Sequence, residues 1–372
     1  MVVRAERVLL GGRFVERQDV HVAGGRIVDI RACGGLPAGA RLLDRPDATV
    51  VPGFLDGHVH GHGSCGLIRA PYDVAGLAGA LARHGVTGFL ATTVSATPEA
   101  LDEAVRHVVQ HAAPGCLGVH LEGPWLAPSR AGAQPPEALR APEVHELEAL
   151  AVAGPVRLVT LAPELAGSAE LLAAAGRLGI AVSLGHTDAP AELCREFVTA
   201  GAGRVTHCFN AMRGAEHRAP GLAALALDPI GVPDLLVEVI ADGEHVHPVM
   251  VRALFAARGA DGVCIVSDGV SDGVADALQA PGPRAGAAVR RADGRLAGST
   301  AMLDAALQNL ISWGIAPVDA LRAMTATPAR GLGRPDLGGL EVGGPADLVV
   351  LDGHWSVRAV VAHGRLLDPP PA

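Results

Sequence analysis

Short apolar runs recur through the middle of the chain, at residues 53–55, 88–91, 118–121, 156–161, 181–184, 204–206, 235–240 and 263–266. Each is strand-sized, and Ala- and Leu-rich stretches separate them. Within those stretches, residues 147–153, 169–178 and 301–311 repeat apolar positions at the spacing of an amphipathic helix. Eight such runs alternating with helical segments predict a (β/α)8 TIM-like barrel. The two ends of the chain read differently. Residues 7–10, 13–14, 20–22 and 26–30 at the start, and 347–351, 357–362 and 364–367 at the end, are short strands joined by turns. Neither set has enough core to stand alone. The pattern therefore predicts one small β-sandwich domain built from both termini, residues 1–50 plus 340–372, and a barrel spanning 51–339. The Pro-, Gly- and Arg-rich segment 279–294 is expected to be a loop or small hairpin on the barrel's face.

Composition narrows the function. The net charge of −9 argues against a surface that grips nucleic acid or an acidic membrane. With three Trp, one Tyr and six Phe, the chain has few rings from which to build a sugar-stacking platform. All 30 Lys+Arg residues are arginine. The absence of lysine excludes a Schiff base, a cofactor aldehyde anchor, a P-loop lysine and a carbamylated lysine bridging two metals. The six cysteines, Cys33, Cys65, Cys116, Cys194, Cys208 and Cys264, form no CxxC pair and read as small apolar residues more than disulfide halves. There is no signal-peptide layout at the start and no unbroken apolar run of membrane-spanning length, so a reduced cytoplasm is expected.

The candidate chemistry sits where the apolar runs end. His58 and His60 follow the first run, and positions i and i+2 of a strand share a face. His120 and Glu122 repeat that spacing in GVHLEGP. His186 closes AVSLGH, His207 closes RVTH, and Asp268 closes VCIVSD. Barrel enzymes work at the C-terminal ends of their strands, and a His and carboxylate set suits zinc or iron. Taken singly, a histidine is more often a surface or satisfied core residue, as His84, His107, His111 and His354 are expected to be. Taken together, five strand ends point to a metal-dependent hydrolase. Asp268 has a second candidate role, taking a proton from water and passing it to a leaving amine.

These residues lie in nine ordered motifs: PGFLDGHVHG, HLEGP, SLGHT, THCFNAM, HRAPG, IADGEHV, VSDG, GRLAGST and ATPARGLG. In this the chain resembles the N-acetylglucosamine-6-phosphate deacetylases of the amidohydrolase superfamily, almost end to end. The resemblance implies metal ligation by Glu122, His186 and His207, with the glutamate standing where a carbamylated lysine stands elsewhere. It implies Asp268 as general base and acid, with His120 or Gln134 as possible partners for the oxyanion. His58 and His60 are intact, so a second metal is possible. For substrate, it implies the backbone of Asn210 and Ala211, with Arg218 and His245 around the phosphate. It further implies the turn Leu296, Ala297 and Gly298, and the loop that carries Ala133 and Gln134. That loop usually reads KGAH, so Gln134 replaces a sugar-contacting histidine by a group that does not titrate. Ser267-Asp268-Gly269 is a milder departure from the family's Thr-Asp-Ala. The family is usually dimeric, with the phosphate site crossing the interface. The expected activity is hydrolysis of an N-acetyl group from N-acetylglucosamine-6-phosphate by one or two divalent ions, zinc first. The rivals are a deacetylase of another N-acyl amino sugar and a catalytically silent sugar-phosphate binder.

Overall fold

The computed structural model describes residues 1–68, 70–111, 113–273 and 287–367. Eight strands form one parallel sheet in sequence order: Phe54–Val59, Val86–Thr93, Cys116–Glu122, Val156–Leu161, Ala181–Leu184, Arg204–Val205, Leu236–Ile240 and Val263–Val266. The sheet curls until its ends meet. Asp268 N–H donates to the carbonyl of His58, and the backbone amides of His60 and Gly61 both donate to Gly269 O, each at 2.9 Å. The expected barrel is therefore present, and its strands are buried almost throughout. The helices expected from periodicity appear at Val144–Ala153, Ser168–Leu178 and Leu303–Ser312. Among the described residues, no helix is long and apolar enough to cross a membrane.

The termini build a seven-stranded sheet, ordered Arg365–Leu367, Val357–Ala362, Leu348–Leu351, Leu42–Pro52, Val2–Leu10, Arg13–Ala23 and Arg26–Ala32. This is the small β domain shared by both ends of the chain. Side chains of a strand alternate between faces, and two neighbouring strands show what that does. Val51, Val349 and Leu351 pack into the barrel core, while Val50, Leu348 and Val350 pack into the β domain's own core. The Leu42–Pro52 strand joins the N-terminal half of the sheet to the C-terminal half. Its apolar ends are separated by exposed Asp44, Arg45, Pro46 and Asp47, which break the alternation a strand would show. Of segment 279–294, residues 279–286 lie outside the described residues. The rest begins a hairpin pairing Ala288–Arg290 with Leu296–Ser299.

Candidate active site

The predicted strand-end residues other than His120 stand at the C-terminal mouth of the barrel. His58 is on the first strand and His60 just beyond it, and Glu122 closes the third. His186, His207 and Asp268 each come two residues after the fifth, sixth and eighth strands. The backbone turns sharply there. His186, His207, Phe209, Ala211 and Asp268 have φ of 47°, 26°, 77°, 48° and 49°, a left-handed region that non-glycine residues occupy at a penalty. Such strain collects where a fold must aim side chains at one point.

The aim is at two overlapping clusters. Glu122, His186 and His207 form one, and His58, His60 and Asp268 the other, with donor atoms of each within 4.8 Å of one another. In the first, Glu122 Oε1 lies 3.2 Å from His186 Nε2 and 2.8 Å from His207 Nε2. In the second, Asp268 Oδ1 is 3.3 Å from Nε2 of both His58 and His60. Glu122 joins the two, its Oε2 lying 3.2 Å from His60 Nε2.

The tautomers can be read from what surrounds each ring. A backbone carbonyl only accepts, so the Nδ1–H of His186 donates to Arg130 O (2.8 Å) and that of His60 to Thr92 O (3.2 Å). Both rings therefore turn an Nε2 lone pair toward the cluster. Nε2 atoms face each other at 3.1 Å between His186 and His207, and at 3.2 Å between His58 and His60. Lone pairs and carboxylate oxygens converging with too few protons to share are what a divalent cation satisfies. The donor set therefore fits such an ion.

The electrostatics agree. Burial opposes charge on Glu122, but His58, His186 and His207 outweigh it and hold the carboxyl well below the ordinary range. Burial likewise works against ionised Asp268, and the neighbouring His60 and His58 outweigh it, lowering its pKa. His120 behaves differently. Burial and the neighbouring His58 drive its imidazole well below the ordinary value. Its Nε2 is tied to Thr160 Oγ1 at 2.8 Å, and its ring packs edge-on against His58. It lies beneath the ligand cluster and does not line the cleft, so it is not placed to touch an oxyanion.

Above the clusters opens a cleft of about 1260 Å³. Ala133, Gln134, Asn210, Ala211, His245, Leu296, Ala297 and Gly298 all line it. His245 Nδ1 pairs with Asp242 Oδ2 at 2.7 Å, and its buried Nε2 has no partner among the described residues. Burial opposes charge on His245, but the Asp242 carboxylate raises its pKa. Arg218 does not line the cleft. It is exposed on the loop after Arg213, where its backbone amide donates to the Glu216 carboxylate.

Gln134 is engaged inside the protein. The Ser95 amide can only donate, so Gln134 Oε1 faces it at 2.8 Å, which leaves Nε2 to donate to Glu122 Oε2 at 2.5 Å. The residue departing from the family pattern thus braces a candidate metal ligand. Other residues support the site. Arg291 and Arg295 donate to the carbonyls of Ala133 and Gly132, tethering the loop that carries Gln134. Asp56 accepts from the amides of His58 and Ser267, and burial raises its carboxyl to about 6. The legible signal for Arg204 and Glu238 was a charged residue inside an apolar strand.

The model of the amidohydrolase family matches residues 49–367. The chain belongs to that family. A relative from Escherichia coli O157:H7 named N-acetylgalactosamine-6-phosphate deacetylase is 33% identical over 98% of each protein. The Homo sapiens N-acetylglucosamine-6-phosphate deacetylase is 34% identical, covering 97% of this chain and 94% of its own. A solved variant of the Mycobacterium smegmatis N-acetyl-D-glucosamine-6-phosphate deacetylase, in complex with N-acetyl-D-glucosamine-6-phosphate, superposes with a TM-score of 0.89. It is 34% identical and covers 98% of each chain. Within the amidohydrolase family these relatives put the chain among the amino-sugar-phosphate deacetylases, as its motifs imply. The family is one of carbon–nitrogen hydrolases, and the two clusters agree with its use of divalent metal.

Proposed function

We propose that this amidohydrolase removes the N-acetyl group of N-acetylglucosamine-6-phosphate, giving glucosamine-6-phosphate and acetate. The observation that carries the reading is the convergence of Glu122, His186, His207 and Asp268 on one cleft, in a chain with deacetylase relatives along nearly its whole length. Glu122, His186 and His207 would hold one cation, and His58 with His60 would hold a second. Zinc suits this donor set best, and iron is the next candidate. When bound, the metal supplies Lewis acidity, polarising the acetyl carbonyl and acidifying water.

The remaining chemistry belongs to the chain. Asp268, ionised because its pKa is lowered, accepts a proton from the attacking water at a carboxylate oxygen. It then returns that proton to the amine nitrogen as the C–N bond breaks. Gln134 keeps Glu122 in register through its amide, and leaves the sugar to its neighbours. The substrate-binding set is Ala133, Asn210, Ala211, His245, Leu296, Ala297 and Gly298, with Arg218 for the phosphate. His245 turns its Nε2 toward the sugar phosphate while Asp242 holds the opposite edge.

Arg218 lies outside its own cleft, which supports a homodimer in which each copy lends this guanidinium to the other's phosphate site. Arg218→Ala is expected to raise KM for the phosphorylated sugar roughly 10–100-fold, the scale of a charge-assisted hydrogen bond. Turnover of the unphosphorylated sugar should not move. Equal losses on both sugars would contradict a phosphate role. Because one relative is named for the galacto epimer, the assay should include N-acetylgalactosamine-6-phosphate.

A further inference from the structure

Beneath the ligand cluster lies a buried ionic chain that the mechanism above does not use. Arg204 opens the sixth barrel strand and Glu238 sits mid-way along the seventh, with relative exposures of 2% and 0%. Arg204 Nη2 donates to Glu238 Oε1 at 2.8 Å. The other oxygen, Oε2, lies at ion-pair distance, 3.5 Å, from His58 Nδ1, and among the described residues neither atom has a hydrogen-bond partner. The preceding residue is built to match. A Cβ on Gly57 would stand 3.3 Å from Arg204 Nη2 and 3.9 Å from Glu238 Oε1, so glycine keeps that corner open. Buried ion pairs seldom stabilise a fold more than apolar residues of the same shape. One aimed at the back of a metal-facing imidazole has another use.

We propose that Glu238, anchored by Arg204, is the positioning residue that fixes the tautomer of His58 and thereby equips the His58–His60–Asp268 cluster to hold a second cation. The proposal rests on the ligand reading above. A carboxylate behind Nδ1 draws the ring proton there. It leaves the Nε2 lone pair facing His60 Nε2 at 3.2 Å and Asp268 Oδ1 at 3.3 Å. It also makes the imidazole a stronger donor to a cation. The other rings have no such support among the described residues. His60 and His186 lean on backbone carbonyls, and His207 Nδ1 has no partner. Glu238 should therefore govern one cluster and spare Glu122–His186–His207.

The test is zinc titration by calorimetry, with metal content after dialysis, on wild type, Glu238→Gln and His58→Asn. Wild type is expected to bind two zinc ions per chain. In Glu238→Gln the weaker site should lose roughly 10–100-fold in affinity, the usual effect of removing a carboxylate behind a ligating histidine, and the stronger site should stay unchanged. His58→Asn should weaken the same site at least as much and leave the stronger one unchanged. The double variant Arg204→Met/Glu238→Gln removes the buried charges together, leaves no unmatched guanidinium, and is expected to repeat the loss. Two unchanged sites in both Glu238 variants, or a single site in wild type that ignores His58→Asn, would overturn the proposal. Those outcomes leave the deacetylase reading standing, because acetate release through the Glu122 cluster tests it separately.

Discussion

Asp268→Asn is expected to lower kcat by about 10²–10⁴-fold or more, the scale of a positioned acid and base. Asparagine keeps the shape of the side chain and its contacts with His58 and His60, but it cannot carry a proton between water and amine. The aspartate is suited to that task by position and by charge. It follows the eighth strand by two residues, lines the cleft, and stays ionised because His60 and His58 outweigh its burial. Its left-handed backbone, φ 49°, turns the carboxylate over the barrel mouth. The loss should fall on kcat more than KM, since the group acts on the reacting atoms. Steady-state acetate release, with metal content measured alongside, checks it. Near-normal turnover by a metal-replete variant would remove Asp268 from the mechanism.

Metal removal should have the second large effect. A chelator is expected to abolish acetate release and lower Tm, and added zinc should restore both. Glu122 is buried among His58, His60, His186 and His207, so without a cation the site holds facing lone pairs and a desolvated carboxylate. An ion that binds only the folded state stabilises it by about 4 kcal/mol at a thousandfold excess over Kd. Glu122→Gln should reproduce the loss of activity without chelator. Undiminished activity in a protein stripped to a small fraction of an ion per chain would contradict metal dependence.

Much of this was legible in the sequence because barrel strands are short, apolar and end in polar residues that have no reason to be there except chemistry. His58, His60, Glu122, His186, His207 and Asp268 all announce themselves in that way. What escaped was set by tertiary contact. The Leu42–Pro52 strand is interrupted by exposed Asp44, Arg45, Pro46 and Asp47 and makes sense only between its two partner strands. His120 has the same spacing from Glu122 as His58 from His60, yet Thr160 and the His58 ring hold it under the cluster. Gln134 was expected to face the sugar; a backbone amide and Glu122 claim both ends of its side chain. Arg218 carries a motif that suggests the cleft, but its loop points elsewhere in a single chain. Arg204 and Glu238 are charges in apolar strands, a signal that marks a buried pair without saying what it supports.

The measurement that bears most directly on the account is acetate release from N-acetylglucosamine-6-phosphate by the zinc-loaded protein, with unphosphorylated N-acetylglucosamine alongside. Rapid release that depends on the phosphate is expected. No release from a protein that binds its metal would contradict the assigned substrate and turn the search to other N-acylated amino sugars.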